Sequence, residues 1–150
     1  MKISFDFDGV IGLHEWDPKE RDYKRDPKTG EIIEIFNKKI GQKIKDLRVE
    51  GHDIIVVTTR YAIWREETEQ FLEDNNLMGY IDEVHFTNGA WKANKLKKLG
   101  VEKHYDDNPQ ELRRLKYKEI KGVLVPDEEL YNIELGNLTG SEITGGWNKY

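Results

Sequence analysis

Acidic side chains follow two short segments of this 150-residue chain. Asp6 and Asp8 stand directly after an apolar run at the start of the sequence, and Asp106 and Asp107 follow the short run 103–105. In open α/β sheets, functional sites form beyond the carboxyl ends of the strands. If both runs are parallel strands of one sheet, the four carboxylates meet at one edge of it.

Four carboxylates that lie within a few ångströms repel one another unless some are protonated or a cation binds. A hard divalent cation with oxygen ligands removes the repulsion, and Mg²⁺ fits because it binds carboxylates together with water and substrate phosphate. Thr58, after the apolar run 53–57, and Lys92, near the start of a basic segment, add a hydroxyl and a positive charge. Those two groups suit a phosphoryl group in transfer. Of two aspartates two residues apart, one can attack phosphorus while the other moves protons.

The elements that must position these side chains alternate along the chain. Apolar patterning predicts strands at 1–7, 53–59, 81–86, 103–105 and 122–125, and helices at 35–50, 61–75, 91–99 and from Pro109 onward. Segment 53–59 is apolar on both faces, which is typical of a strand in a sheet covered on both sides. The fold class that follows is α/β, with a doubly wound, Rossmann-like parallel sheet.

One domain is expected, with a core at 1–125. Residues 14–31 contain 11 charged residues out of 18, which indicates either a solvated loop or a flap over the site, with the flap placed at 11–30. In that flap, Trp16 either stacks on a base or sugar or packs the flap onto the sheet. Trp91 is expected to pack its helix onto the sheet. The acidic tail at 126–150 is expected to be either a hairpin or partly ordered.

Composition excludes several classes of protein. The longest aliphatic run, at 54–57, is far shorter than a membrane-spanning helix, and no signal peptide is visible, so we expect a cytoplasmic protein. The absence of cysteine excludes disulfides and thiol chemistry. The net charge of −5 disfavours a general nucleic-acid coat. Residues 89–121 nevertheless carry ten Lys/Arg against five acids, which indicates either a nucleic-acid phosphate partner or a solvated helix face.

Four motifs together resemble those of the haloacid dehalogenase-like (HAD) superfamily of phosphohydrolases. They are FDFDGV at 5–10, IIVVTTR at 54–60, WKANKLKKLGV at 91–101 and HYDDNP at 104–109. Their order and spacing match the family over residues 1–125. The short insertions after the first and second motifs leave no room for a separate cap domain.

The resemblance implies a role for each matching residue. Asp6 is the nucleophile, and Asp8 is the general acid and base whose backbone carbonyl also binds the metal. Thr58 is the phosphate-binding hydroxyl, and either Lys92 or Lys95 is the motif lysine, with Lys92 the better placed.

The same resemblance places Asp106 and Asp107, with Asp6 and Asp8, around Mg²⁺. Substrate contacts are assigned to Gly9, Thr59 and Arg60, although Arg60 alternatively pairs with an acid.

The implied function is that of a phosphoric monoester hydrolase that depends on Mg²⁺ and forms an aspartyl-phosphate. An open site suits large substrates such as proteins or nucleic-acid ends, or a partner protein that acts as a cap, while small nucleotides stay open as substrates. The chain also partly resembles the phosphatase half of polynucleotide kinases and the small deoxynucleotidases. The alternative is a receiver-like phosphoacceptor or phosphate-binding domain that does not hydrolyse. Neither a membrane partner nor a particular oligomeric state is indicated.

Overall fold

The computed structural model describes residues 1–125 and 129–131. Its helices and strands alternate after an irregular first third. In chain order they are β1 (Lys2–Phe5), β2 (Gly12–His14), β3 (Trp16–Asp17), β4 (Asp22–Tyr23), β5 (Glu34–Phe36), α1 (Lys38–Val49), β6 (Asp53–Thr58), α2 (Arg65–Asp74), β7 (Glu83–Phe86), α3 (Ala93–Lys98), β8 (Lys103–Asp106), α4 (Pro109–Arg113), β9 (Lys121–Leu124) and β10 (Glu129–Tyr131).

The main sheet has the strand order β10-β9-β8-β1-β6-β7. Five of its strands are parallel, and β10 runs antiparallel to β9 at one edge. The chain leaves β1 toward β6 and β7 and then returns to β8 and β9, so the order reverses at β1. The predicted doubly wound α/β sheet is confirmed, and its carboxyl edge at β1 is the switch point where ligands bind in such folds.

Strand β6 divides the core into two layers. Ile54 and Val56 pack on one side with residues of α1 and α2, while Ile55 and Val57 pack on the other with residues of α3 and α4. All four side chains are fully buried. This alternation explains why the run is apolar at every position.

The predicted helix at 35–50 begins later than expected. Ile35 lies in β5, where it pairs with Leu13 of β2 and stays 43% exposed. The helix begins after Asn37, whose side chain accepts a hydrogen bond from the backbone N–H of Ile40 at 3.4 Å. The prediction was wrong at this end because a helical spacing of apolar residues does not reveal the capping residue.

The predicted helix at 61–75 is also shorter. Residues Ala62–Trp64 form a 3₁₀ turn, and the α-helix starts at Arg65. Thr68 and Leu72 are buried as predicted, but Trp64 is 46% exposed and does not belong to the packed face.

Residues 11–30, predicted as a flap, form short strands. Strands β2 and β5 pair with each other, and β3 pairs with β4, so the segment consists of two small antiparallel sheets that include residues up to Phe36. The prediction for 126–150 lies outside the described residues except for β10. None of the helices in the described part of the chain is long and apolar enough to cross a membrane.

Candidate active site

Three strand ends and one helix start bring the predicted side chains together. Asp6 follows β1, Asp106 ends β8, and their strands are neighbours in the sheet. The backbone N–H of Asp6 donates to the carbonyl of Tyr105 at 2.9 Å, which fixes the two acids side by side. A cavity of about 270 Å³ opens at this edge, lined by Asp6, Asp8, Thr59, Lys92, Asp106, Asp107, Asn108 and Glu111.

Lys92 is the cation inside this cavity. Its Nζ lies 2.8 Å from Asp6 Oδ1 and 2.7 Å from Asp106 Oδ2, and the residue is 2% exposed. Its backbone N–H donates to Glu111 Oε1 at 3.1 Å, so α4 helps to fix it. Burial opposes the charged form, but Asp106, Asp6 and Glu111 outweigh it and raise the pKa of Lys92. The structure therefore brings Lys92, and not Lys95, to the acids.

Asp106 has a second donor that the sequence analysis missed. His104 is fully buried, and its Nε2 lies 2.8 Å from Asp106 Oδ2. Its Nδ1 lies 2.6 Å from Ser4 Oγ. Burial lowers the pKa of His104, so the ring is neutral, and the network assigns the hydrogen to Nε2 while Ser4 donates to Nδ1.

The carboxyl groups of the cavity differ in their proton affinity. Burial raises the pKa of Asp6 well above its ordinary value. The charge of Asp106 raises it further, and this outweighs the opposite effect of Lys92. Burial and then Asp106 raise the pKa of Asp107 to about 7. Burial disfavours the charge on Asp106 too, but Lys92 and His104 outweigh it and hold its pKa below the usual range. The site therefore holds more carboxylate than its own cation neutralises.

That excess fits a hard divalent cation. Carboxylate oxygens of Asp6, Asp106 and Asp107 lie within 4.8 Å of one another. Oxygen donors in such a cluster suit Mg²⁺. Burial first, and then the negative charge of Asp106, raises the pKa of Asp6 and of Asp107, and a bound cation would offset both effects.

Asp8 faces a different cation. Arg60 donates two hydrogen bonds to its carboxylate, one from Nε to Oδ2 at 2.9 Å and one from a terminal nitrogen to Oδ1 at 2.7 Å. The guanidinium also donates to Thr68 Oγ1 at 3.1 Å and lies 4.5 Å from the ring centre of Phe7. Arg60 does not line the cavity, so of its two predicted roles the structure favours the pairing with an acid.

The same guanidinium ties the flap to the site. Arg60 donates to Glu34 of β5, and Glu34 lies 3.5 Å from His14 Nε2 of β2. Burial would raise the pKa of Glu34, but His14 and Arg60 lower it, so this acid is ionised. One sheet of the predicted flap is thus anchored by charge to the side chain that holds Asp8.

Gly9 lies where only a glycine fits. Its φ is +80°, and a Cβ there would stand 2.0 Å from Asp107 Oδ2. Its N–H donates to the carbonyl of Gly12 at 2.9 Å, which closes the turn after the Asp-x-Asp pair. Its role in this structure is to let the turn approach Asp107.

Thr58 and Thr59, the threonines predicted to bind phosphate and to contact substrate, lie in different surroundings. Thr58 is fully buried, and its Oγ1 accepts a hydrogen bond from the N–H of Arg60 at 3.2 Å. Thr59 lines the cavity. The assignments of phosphate binding to Thr58 and of substrate contact to Thr59 stay predictions.

Sequence reasoning missed His104, Glu111 and Glu34. The first could have been found, because residues two apart on a strand share a face and His104 precedes Asp106 by two. Glu111 and Glu34 carry no such signal, since each reaches the site from a segment whose path depends on tertiary packing.

No family model matches the chain. Over 149 residues the sequence is 27% identical to the uncharacterized protein L684 of Acanthamoeba polyphaga mimivirus, and the match covers 95% of this chain but 29% of that protein. The chain therefore spans under a third of the length of this relative.

Two solved structures have a similar fold. One is a chain of the Pnkp1/Rnl/Hen1 RNA repair complex, with a TM-score of 0.61 and 19% identity, covering 83% of this chain and 42% of that one. The other is the cobalt-bound deoxy-D-mannose-octulosonate 8-phosphate phosphatase of Haemophilus influenzae, with a TM-score of 0.50 and 19% identity, covering 85% and 70% of the two chains. This chain therefore shares the fold of these two structures, and its described residues include no separate cap domain.

Proposed function

We propose that the protein is a Mg²⁺-dependent phosphatase that hydrolyses a phosphomonoester through an aspartyl-phosphate on Asp6. One observation carries the proposal. Asp6 lies buried at a strand end between a lysine and two further aspartates, while Asp8, two residues away, is held apart by Arg60. A nucleophile and a proton carrier therefore occupy separate electrostatic environments in one cavity.

The contacts of Asp6 select its attacking oxygen. Oδ1 lies 2.8 Å from the backbone nitrogen of Phe7 and 2.8 Å from Lys92 Nζ. Oδ2 is then the atom that attacks phosphorus, and its lone pair forms the new O–P bond as the bond to the leaving oxygen breaks. Asp8 in its protonated form donates to that leaving oxygen, and for this one of its two hydrogen bonds from Arg60 must break.

The second half of the reaction returns the site to its starting state. Asp8, now ionised, accepts a proton from water, and the water oxygen forms a bond to phosphorus as the bond to Asp6 Oδ2 breaks. Lys92 supplies positive charge beside the transferring phosphoryl oxygens throughout. Arg60 positions Asp8 in both steps and, through Glu34, depends on the flap for its own position.

Asp6, Asp106 and Asp107, with the backbone carbonyl of Asp8, would hold Mg²⁺. When bound, the cation offsets the charge of these carboxylates and of the substrate phosphate. The cobalt-bound form of the H. influenzae phosphatase supports a divalent metal in this fold.

We further propose a nucleotide or a nucleic-acid end as the substrate. Trp16 and Tyr23 form an edge-to-face pair on the β3–β4 sheet, with ring centres 5.3 Å apart, and both are more than 40% exposed. Tyr23 lies against His14, which connects through Glu34 to Arg60. An exposed aromatic pair so connected to the site suits a base, and the RNA repair complex that shares the fold supports this class.

The test is phosphate release with and without Mg²⁺ from p-nitrophenyl phosphate, 3′- and 5′-mononucleotides, phosphorylated oligonucleotides and sugar phosphates. We expect Asp6→Asn to lose turnover by about 10⁴-fold, while Asp46→Asn, an exposed helical site, serves as the matched control. Full turnover by Asp6→Asn would exclude Asp6 as the nucleophile. A phosphoryl-protein that persists for hours without phosphate release would favour the receiver-like alternative.

A further inference from the structure

The outer surface of α3, α4 and the turn after α4 is strongly basic. Residues 89–121 contain ten Lys/Arg and five Asp/Glu. Lys92, Asp106, Asp107 and Glu111 belong to the cavity. Lys103 lies over the ring of Tyr105 on the α1 side of the sheet, and Lys121 shares a strand face with Val123 on that same side. Seven cations therefore remain on this surface, and Glu102 and Glu119 are the remaining acids of the segment. We call it the basic face, and its seven cations, all exposed or half-buried, are Lys95, Lys97, Lys98, Arg113, Arg114, Lys116 and Lys118.

An aromatic ring lies within this surface. Trp91 is 47% exposed, which corrects the prediction that it packs its helix onto the sheet. The guanidinium carbon of Arg114 lies 3.6 Å from the centre of its indole ring. Within residues 1–125, Arg113 and Arg114 form no salt bridge with a carboxylate. A cation stacked on an exposed indole offers both charge and an aromatic surface to a ligand.

The basic face begins at the catalytic cavity. Trp91 adjoins Lys92, whose N–H is bound by Glu111 of α4. Glu111 lines the cavity, while its neighbour Gln110 lines a second depression of about 310 Å³ with Arg113 and Arg114. The two depressions are therefore adjacent on one helix.

From the cavity, the cations follow the chain along the length of strands β8 and β9. Asp106 at the carboxyl end of β8 pairs with Leu124, whereas Lys103 at the opposite end pairs with Lys121. The segment from Pro109 to Lys121 therefore runs from the edge that holds the cavity to the other edge, carrying its cations along that path.

We infer that the basic face binds a single-stranded nucleic acid whose phosphorylated end occupies the cavity, with Trp91 and Arg114 as the first contact beyond the cleaved phosphate. This inference rests on the proposed function. A row of cations suits any polyanion, but a half-exposed indole beside the site adds a stacking surface that a base uses and an acidic protein does not. The cations of this face stand as a local excess within a chain whose net charge is −5.

The binding test uses an unphosphorylated, fluorescein-labelled 12-mer, which the proposed reaction cannot consume. Its anisotropy is followed at several salt concentrations with the native chain, Trp91→Ala and the double variant Arg113→Gln/Arg114→Gln. The double variant Lys38→Gln/Lys39→Gln is the control, because it removes the same charge from exposed positions on α1, across the sheet.

We expect the Arg113/Arg114 variant to flatten the slope of log K against log[salt] by about 1.4, since each lost phosphate contact contributes ~0.7 on a single strand. We expect Trp91→Ala to weaken binding roughly tenfold, and the Lys38/Lys39 control to change neither quantity. Equal losses in the control, or tighter binding of an acidic phosphopeptide than of the 12-mer, would overturn the inference.

A turnover test separates this inference from the proposed function. For 12-mers phosphorylated at the 3′ or the 5′ end, we expect the ratio of kcat/KM to that for p-nitrophenyl phosphate to fall about tenfold in both variants. An unchanged ratio overturns the surface assignment while leaving the phosphatase intact. A native chain inactive on p-nitrophenyl phosphate would instead count against the proposed function, and the anisotropy result still decides the surface.

Discussion

Replacing Asp107 by Asn should stabilise the metal-free protein, although it removes a proposed metal ligand. Burial and the charge of Asp106 raise the pKa of Asp107 from 3.8 to about 7. A shift of this size corresponds to about 4 kcal/mol against the native state at pH 8, where the carboxylate is ionised. Asn resembles the protonated acid in shape and carries no charge, so the variant avoids this cost.

The pH dependence gives the sign of the effect. Because the folded-state pKa of Asp107 lies above the unfolded value, the native state binds the proton more tightly, and stability is lost as the pH rises from about 4 to about 7. The advantage of Asp107→Asn should therefore be full at pH 8, about 1.5 kcal/mol at pH 5, about 0.5 kcal/mol at pH 4, and absent below about pH 3.

The assay is thermal unfolding in EDTA and in Mg²⁺. For a domain of this length we expect Asp107→Asn to raise Tm at pH 8 in EDTA by the order of 10 °C, and by less than half of that at pH 5. Adding Mg²⁺ should raise the Tm of the native chain more than that of the variant. Asp46→Asn, on the surface of α1, is the control. A Tm gain equal at both pH values, or no gain at pH 8, would refute the argument that burial and the charge of Asp106 make the ionised Asp107 costly.

Three further outcomes are expected. His104→Ala removes a buried donor from Asp106 and should lower the free energy of unfolding by roughly 3 kcal/mol, measured by urea denaturation; a loss below 1 kcal/mol would contradict the network. Gly9→Ala places a Cβ against Asp107 and should weaken Mg²⁺ binding roughly 10–100-fold, measured by calorimetry, with unchanged affinity as the opposing result. Mg²⁺ affinity should rise steeply from pH 6 to 7 and level off by pH 8, because Asp107 must lose its proton to bind metal; a flat titration would count against it.

The sequence predicted the parts of this structure that depend on local pattern. Strand β6 could be found because it is apolar on both faces, and once the strands are parallel their ends must meet, which brings Asp6 to Asp106. The lysine was harder, since Lys92 and Lys95 lie one turn apart on a basic segment. Only the path of the chain into α3 shows that Lys92 points inward.

The parts that could not be predicted depend on which partner a charged side chain finds. Arg60 lies two residues after Thr58, the threonine predicted to bind phosphate, and this position favours a substrate role, yet Arg60 pairs with Asp8 and Glu34. That pairing exists because β5 comes back beside β2, and nothing in the spacing of this charged segment specifies that register. The contact between Trp91 and Arg114 could not be predicted for the same reason, because it joins two segments that are far apart in sequence.

Two cations separate two aspartates that are nearly neighbours in sequence. Lys92, which directly precedes α3, contacts Asp6, whereas Arg60, which follows β6, contacts Asp8. Because each acid has a cation of its own, the two carboxyl groups can take different roles in the reaction. The turn at Gly9 permits this division, because its left-handed backbone leaves room for Asp107 beside the pair. The chemistry proposed for this site thus depends as much on Arg60 and Gly9, which touch no reacting atom, as on Asp6 itself.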